Sequence, residues 1–455
     1  MSDSAAAPLK RGLLTAFILP TLILGVMHGP EGQIQAIYAK HAGLALTALA
    51  AATLLSKIFD AVTYPLIGYL SDRTYARRGS RKSWVIAGAI VSSIGIWGLF
   101  RPPQTQIVDA IYFGIWMSVT YLGWKLMEIP LQAWSYSLST DYVQRTRVQA
   151  WRALAQMGGQ LLFFIIPFLA MKLGYSDSTE LDFRSLGLSA IICVIALPLV
   201  TLIAVSYVSS GEGVAPVAQK RFGFSEALRA IKQNKPLLRL LAAFLPVNLL
   251  AGMTGGVSYL YIDTYLQLGK QLPAIMLIAL LASLIGIPFW SAMATRFERH
   301  RVWAVSLITG AMACIAFAFV SPSAMALPLA FLLYPIIMFT LVGAVIVYTM
   351  SADIVDYGLL ITGEDNAGLY GAIFAFLQKS LLGISAAIAL AIAGTFGFDA
   401  TAASQSDAAV FGIKLTAALL PALGLIGAAA IIWNYPLNRA RVAEIQTQLN
   451  DAKAH

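Results

Sequence analysis

The chain has 455 residues, of which 58% are hydrophobic and only 12% are charged, and its mean hydropathy is +0.75. Soluble domains carry about a quarter charged residues, so this composition excludes a soluble globular protein. The formal charge of +9 does not indicate a nucleic-acid-binding protein, because the basic residues are spread over short loops between apolar segments.

Twelve apolar segments follow one another along the chain, each about long enough to cross the hydrocarbon core of a membrane as a helix. We place them at residues 12–38, 43–70, 84–101, 108–138, 151–173, 185–208, 237–268, 272–295, 302–321, 325–350, 369–396 and 411–434. A basic pair precedes the first apolar run, but no small-residue cleavage site follows it, so we interpret this run as an uncleaved helix. The sequence therefore predicts an all-α polytopic membrane protein.

The one long polar connection, at residues 209–236, separates the sixth segment from the seventh. We predict two six-helix halves, at 1–208 and 237–434, a cytoplasmic linker between them and a cytoplasmic tail at 435–455. The stretch "GYLSDRTYARRGSRK" after the second segment has a degenerate counterpart, "GIPFWSAMATRFERHR", after the eighth. Repeated halves of this kind are typical of secondary transporters, whose substrate site lies at the midplane between the repeats.

The distribution of basic residues predicts the orientation. Most of the 31 Lys and Arg residues lie in the even-numbered connections and the two tails, so both termini should be cytoplasmic. The connection 351–368 should also be cytoplasmic, yet it carries four acids and no base. We expect these acids to pair with bases of the other cytoplasmic turns as a gate, and the candidate gate residues are Asp72, Arg73, Arg77, Arg81, Asp353 and Asp356.

Several charged residues fall inside the apolar segments, where each costs roughly 2.5–3.5 kcal/mol at a helix centre. Lys57 and Asp60 are three residues apart, as are Lys125 and Glu128, and this spacing places each pair on one helix face. One interpretation is two self-neutralised structural pairs. The other is a hydrated cavity whose polar groups are the bases Lys57, Lys125, Arg152 and Lys379 and the acids Asp60 and Glu128. The excess of bases suits an anionic or polyhydroxylated solute.

Aromatic residues near these charges are candidates for stacking on the apolar face of a sugar. The candidates are Trp124, which adjoins Lys125, and Tyr261 and Tyr265, although aromatic residues also serve in helix packing and membrane belts. The four histidines show no metal-binding spacing, and His28 is a lesser candidate for a proton role. We expect neither a metal nor a cofactor.

Three stretches resemble a known family: "SKIFDAVTYPLIGYLSDRT", "MEIPLQAW" and "SADIVDYGLLITGEDNAGLYGAIFAFLQKSLLG". They are similar to the glycoside, pentoside and hexuronide cation symporters of the major facilitator superfamily, the melibiose permease family. The similarity runs in order over most of the chain. It implies the major facilitator fold, a transporter rather than an enzyme, a monomer surrounded by lipid, and the inner membrane of a bacterium.

The resemblance also implies roles for single residues. In that family a DxxxD motif on the second helix and an acid on the fourth form the cation site, and Asp60 and Glu128 match two of these acids. Tyr64 stands where the second acid of the motif is expected, and Lys125 where the sodium-coupled member has a hydroxyl. Arg152 and Lys379 match bases that line the substrate path, whereas Leu24 stands in an ungapped alignment where the family has a sugar-binding acid.

These departures remove oxygen ligands that sodium requires and add an ammonium group. The implied function is a symporter of a sugar, glycoside or sugar acid that works by alternating access and couples to protons through Asp60 or Glu128. A uniporter of the same solutes and a lysolipid transporter stay open as alternatives. A membrane-bound enzyme or sensor is the alternative from another class, although the sequence has no nucleophile elbow, metal triad or glycine-rich phosphate loop.

Overall fold

The computed structural model of the protein describes residues 11–103, 108–139, 141–210, 229, 231–364 and 366–454. For residues 142, 379 and 452–454 it describes the backbone alone. Within these ranges all regular secondary structure is helical, which confirms the predicted class. The predicted linker at 209–236 lies mostly outside them.

The N-terminal part of the chain forms seven helices. They are α1 (Arg11–His28), α2 (Ile34–Ala42), α3 (Leu46–Arg78), α4 (Lys82–Phe100), α5 (Ala110–Ser137), α6 (Tyr142–Lys172) and α7 (Phe183–Tyr207). Helices α4 and α5 pack against each other very closely, because a Cβ atom at Gly123 of α5 would lie 2.3 Å from the backbone nitrogen of Ser92 in α4. This contact fixes α5, the helix that carries Lys125 and Glu128.

Nine further α-helices lie in the described residues from Lys235 onward. They are α8 (Lys235–Tyr259), α9 (Leu272–Arg296), α10 (Arg299–Ala318), α11 (Ala326–Leu341), α12 (Val345–Thr362), α13 (Ala367–Thr395), α14 (Asp407–Lys414), α15 (Leu420–Trp433) and α16 (Arg439–Ala454). A π-helix at Leu260–Tyr265 continues α8, and another at Leu415–Leu419 joins α14 to α15. A 3₁₀ turn at Val342–Ala344 joins α11 to α12.

Contacts divide the chain into two compact units, each with its own buried apolar core. The first unit is Met1–Val217 with Gly269–Pro273, and the second is Ala218–Leu268 with Ala274–His455. Eleven helical segments in the described ranges are long and apolar enough to cross a membrane. Helix α5 has 28 residues but is less apolar, and together with the eleven it accounts for the twelve predicted segments.

Two predicted boundaries are wrong for identifiable reasons. The predicted helix at 12–38 is broken between His28 and Ile34, since Pro30 has no N–H group to donate and disfavours helical backbone at the residue before it. The predicted connection at 351–368 is mostly helical, because α12 continues to Thr362 and ends at Gly363 with φ +70°.

Two other boundaries shift as well. Helix α3 continues to Arg78 and ends at Gly79 with φ +64°, so much of the predicted basic turn is helix. Helix α6 begins at residue 142 rather than 151, with Asp141 as its N-cap.

Candidate functional site

The first buried ion pair joins α5 to α3. The Nζ atom of Lys125 lies 2.5 Å from Oδ1 of Asp60, and it also donates to the backbone carbonyl of Asp60 and, over 3.1 Å, to Oγ1 of Thr63. The Lys125 side chain is 1% exposed, whereas that of Asp60 is 25% exposed. A buried ammonium group needs such a partner, because the desolvation of an unpaired ion costs several kcal/mol, of order 3–5 kcal/mol when its partner is removed.

The second buried ion pair joins α6 to α5. The Nη2 atom of Arg152 lies 2.9 Å from Oε1 of Glu128, and Nη1 donates to the Oε1 atom of Gln132 on the same helix as the glutamate. The arginine is 5% exposed and the glutamate 26%. As in the first pair, the base is buried and the acid is partly exposed.

The third ion pair joins α3 to the break between α1 and α2. The Nζ atom of Lys57 lies 2.9 Å from Oε1 of Glu31, and the hydroxyl of Tyr121 donates to the same oxygen over 3.1 Å. The Lys57 ammonium lies 4.2 Å from the centre of the Tyr121 ring. The Nδ1 atom of His28 lies 2.9 Å from the other carboxylate oxygen of Glu31, Oε2.

These contacts correct the predicted pairing of Lys57 with Asp60 and of Lys125 with Glu128. Each base has its acid on a neighbouring segment, because its side chain reaches across a helix interface to an acid that faces it. Glu31 is not among the residues predicted from the sequence, because an unbroken first helix would place it near the extracellular end of that helix. The Gly29–Pro30 step before it is the signal that marks a break there.

The predicted aromatic residues separate into two groups. Trp124 lies in the first unit, with its ring centre 4.1 Å from that of His28, and the Tyr64 ring centre lies 5.7 Å from the Lys125 ammonium. Tyr261 lies fully buried in the second unit, where its hydroxyl donates to the carbonyls of Phe317 (2.6 Å) and Val320 (3.2 Å).

These contacts give Tyr261 a packing role. Tyr265 packs 5.4 Å from Tyr261, with the Lys414 ammonium 5.3 Å from its ring centre. The side chain of Lys379 lies outside the described residues, so its assignment as a substrate-binding residue stays a prediction.

The predicted gate residues of α3 lie on its last two turns. The Nη2 atom of Arg81, just beyond the helix, lies 2.9 Å from Oδ1 of Asp72, while the Arg73 and Arg77 side chains are exposed. All four residues belong to the first unit.

The predicted gate residues of α12 lie in the second unit. Both oxygens of Asp353 accept from Nη1 of Arg299, at 2.6 and 2.7 Å, and Asp356 accepts from Nε2 of Gln446 at 3.5 Å. Asp353 therefore pairs with a base of the turn after the eighth predicted segment. Its role in a gate stays a prediction.

Among the described residues, His, Cys, Asp and Glu side chains form no group that would hold a metal ion. Charged side chains of the first unit form ion pairs. Three bases hold three acids across helix interfaces, and a competing anion or a proton would change which partners remain bound.

Comparisons with known proteins show the family to which the chain belongs. A family model described as MFS/sugar transport protein matches residues 13–439. The chain is 26% identical to the putative glycoside/cation symporter YagG of Escherichia coli, with 90% of this chain and 87% of that protein covered. It is 25% identical to the glucuronide carrier protein homolog of E. coli, with 91% and 90% covered.

A more distant relative handles a different class of molecule. The chain is 21% identical to the sodium-dependent lysophosphatidylcholine symporter 1-A of Danio rerio, covering 85% of this chain and 78% of that one. Among solved structures, the xylose transporter XylE from E. coli matches with a TM-score of 0.61 at 14% identity, over 96% of this chain and 98% of that one. At this identity the structural match shows a shared fold.

Proposed function

Because the chain belongs to the MFS/sugar transport protein family and is a multi-pass membrane transporter, we propose that it is a proton-coupled symporter of a sugar acid or an anionic glycoside. The solute would cross by alternating access, in which the two six-helix halves expose one site to each side in turn. Relatives named as glycoside/cation and glucuronide carriers support the class of solute and the presence of a coupling ion.

The observation that carries this proposal is the set of three interhelical ion pairs in the first unit. Their bases are nearly buried, while the acids Asp60 and Glu128 keep about a quarter of their side-chain surface exposed. A solute carboxylate can replace such an acid at Arg152, whose planar guanidinium matches carboxylate geometry. In the first unit three bases are balanced by three acids, so the preference for an anion rests on Arg152 and on Lys379, the fourth base predicted from the sequence.

The same contacts support protons over sodium as the coupling ion. The Lys125 ammonium is bound to Asp60, the acid that matches the family cation site. Tyr64 has one phenolic oxygen at the position where that site has a carboxylate. Sodium needs several oxygen ligands with net negative charge, so a cation already bound to the acid works against it.

Orientation and compartment belong to the same proposal. The bases in the even-numbered connections support cytoplasmic termini, and the bacterial relatives support the inner membrane of a bacterium. We further propose that one chain is the transporting unit, since each relative aligns over nearly its whole length with a single copy of this chain.

The test is uptake by the purified full chain in liposomes. We expect p-nitrophenyl β-D-glucuronide to accumulate when the outside is more acidic than the inside, and neutral p-nitrophenyl β-D-glucoside to accumulate less. Replacement of Arg184 by Met is the matched control, because Arg184 forms an exposed pair with Asp177 outside the buried cluster. Equal uptake with and without the pH gradient would favour a uniporter over a proton-coupled symporter.

A lysolipid transporter is the second candidate, and the lysophosphatidylcholine symporter among the relatives favours it. The same liposomes, offered fluorescent lysophosphatidylcholine, separate the two. Transfer of this lipid at a rate above that of protein-free liposomes, without uptake of the glucuronide, would favour the lipid reading.

A further inference from the structure

A small cavity in the first unit is lined by two polar atoms that make no hydrogen bond within the described residues. It lies between the α1–α2 break and helices α4 and α5, and its lining includes His28, Glu31, Thr120, Tyr121 and Trp124. The two atoms are Nε2 of His28 and Nε1 of Trp124, and both are buried. A buried polar atom without a hydrogen-bond partner destabilises the folded protein unless something binds it.

The volume of this cavity is about 30 Å³, which is room for about two water molecules. The indole Nε1 is only a donor. Water is therefore a suitable occupant, because it can accept from the indole and donate to an acceptor on the imidazole.

The contact between His28 and Glu31 decides which imidazole nitrogen can accept. An ionised carboxylate only accepts hydrogen bonds, so Nδ1 of His28, 2.9 Å from the carboxylate, carries the ring proton. In the neutral ring Nε2 is then left with a free lone pair. The His28 side chain is only 10% exposed, so this lone pair is held inside the protein, at the cavity.

We propose that Nε2 of His28 is the binding site of the coupling proton, which reaches it through water in this cavity. The inference deepens the proton-coupled transport proposed above and rests on it. A proton from a water chain forms one N–H bond at Nε2, and no bond within the protein breaks. The resulting imidazolium keeps its Nδ1–H···Glu31 hydrogen bond, so Glu31 both orients the ring and balances its new charge.

The surrounding charges are balanced, so the added proton changes the net charge of the cluster. From α3, Lys57 balances Glu31, so the cluster has no net charge while His28 is neutral and gains one positive charge when the ring is protonated. From α5, the Tyr121 hydroxyl donates to Glu31, and Trp124 adds no charge.

The other elements packed against the cluster bring balanced or apolar groups. Lys125 and Asp60 neutralise each other between α5 and α3. From α6, Arg152 is held by Glu128. Helix α4 contributes the apolar Leu99 and Phe100 to the cavity. On α7, Arg184 pairs with Asp177.

An additional positive charge near Lys57 attracts an anionic solute, and the bound anion in turn holds the proton. This reciprocity is the coupling that a symporter needs. Asp60 and Glu128, the acids predicted from the sequence, are less suited to bind the coupling proton, because each is held by its own buried base.

The first test needs no solute. Histidine-labelled full-length protein is titrated by NMR, and the loss of one signal in His28→Gln assigns His28 among the four histidines of the chain. We expect the ring to carry a proton at Nε2 as well as at Nδ1 at the acidic end of the titration, with Nδ1–H still bonded to Glu31. In Glu31→Gln the ring should lose this hydrogen bond, which is seen as a change in the Nδ1 signal. A His28 ring that stays in one protonation state throughout the titration overturns the inference.

The second test follows protons driven by a solute. In de-energised liposomes, addition of p-nitrophenyl β-D-glucuronide to the parent protein should draw protons inward with it. In His28→Gln this proton uptake should be lost while exchange of preloaded glucuronide is partly retained. His41→Gln is the matched control, since His41 lies at the end of α2 beside Glu180 and outside the cavity, and it should couple as the parent does.

The outcomes separate this inference from the proposed function. Solute-driven proton uptake that persists in His28→Gln but disappears in Asp60→Asn or Glu128→Gln overturns the inference and leaves proton-coupled transport standing. Glucuronide transport by the parent protein without any proton movement overturns both, whatever the NMR titration shows.

Discussion

In the first unit of the molecule some ion pairs lie well inside the helices, whereas in the second unit the arginine of the Arg299–Asp353 pair lies at a helix end. In the first unit, Asp60 and Lys125 lie well inside α3 and α5, helices of 33 and 28 residues. In the second unit, Arg299 is the first residue of α10, and it binds Asp353. Arg439 is the first residue of α16, and its guanidinium donates to carbonyls at the C-terminal end of α9, including those of Ala294 and Thr295.

The difference indicates two uses of charge. At the C-terminal end of a helix a cation meets free carbonyls and water, as the Arg439 guanidinium does at α9, so it stabilises the structure at little cost. In the middle of a membrane helix the same charge requires a buried partner and contributes little net stability, so it is retained for function. We therefore expect substitutions in the buried pairs of the first unit to impair transport strongly and those at Arg299 and Asp353 to affect mainly stability and conformational balance.

The largest effect should follow the loss of Arg152. Arg152→Met leaves the Glu128 carboxylate without its base and removes the guanidinium proposed to hold the solute. We expect glucuronide uptake into liposomes to fall at least about 30-fold, since truncating one partner of a buried charge pair costs about 2–5 kcal/mol. Arg184→Met, which breaks an exposed pair, should transport within about twofold of the parent. If Arg152→Met transports as fast as the control, the buried pairs are not part of the transport site.

The next largest effect is on stability. Lys125→Met leaves Asp60 as a partly buried, unpaired acid, so we expect the free energy of unfolding to fall by about 3–5 kcal/mol and the thermal midpoint to drop clearly. Lys125→Met combined with Asp60→Asn should recover most of that loss, because no uncompensated charge remains.

Thermal unfolding of both single variants and the double variant in one detergent gives the coupling energy. An additive double variant would mean that the two side chains do not stabilise each other. The recovered double variant should still fail to transport, which separates the structural use of the pair from its functional use.

Much of the fold could be predicted from hydropathy alone, because a bilayer leaves few ways to satisfy a backbone. The exceptions had local causes. Pro30 breaks the first helix, while "SADIVDYGLLIT" has apolar residues between its acids and continues α12 to Thr362.

The site was harder to predict than the fold. The sequence marked Asp60, Lys125 and Glu128 as charges inside apolar segments and Arg152 as a further base, because charges are rare there, and in the structure these four form two ion pairs. It could not assign partners, since spacing along one helix says nothing about which acid faces a base from the next helix. Glu31 escaped because its position depends on a break that hydropathy does not register.

A smaller effect is expected in the second unit. Asp353→Lys places two cations together at the junction of α10 and α12, whereas Asp353→Lys with Arg299→Asp restores an opposite-charge pair with its order reversed. We expect the single reversal to change the labelling rate of single cysteines on the two membrane faces by a few fold, in line with about 1 kcal/mol for a partly exposed pair, and the swap to restore it. Unchanged labelling in the single reversal would argue that this pair has no part in the gate.

The smallest expected effect is that of sodium on the parent protein. Replacing sodium by potassium or choline at constant pH should leave the initial rate of glucuronide uptake the same within error, because the Lys125 ammonium occupies Asp60 and Tyr64 supplies no carboxylate. Sodium would have to displace a covalently tethered cation and then complete its shell from few oxygens, which is unfavourable for a hard ion.

The variant that sharpens this result is Lys125→Ser with Tyr64→Asp, which removes the ammonium and returns a carboxylate to α3. If the ammonium is what excludes sodium, uptake by this double variant should acquire a sodium dependence that the parent lacks, while Tyr64→Phe should behave as the parent does. A parent protein that already accelerates severalfold in sodium would show instead that the Lys125–Asp60 pair opens during transport, and the comparison between the units would then rest on the Arg152–Glu128 pair alone.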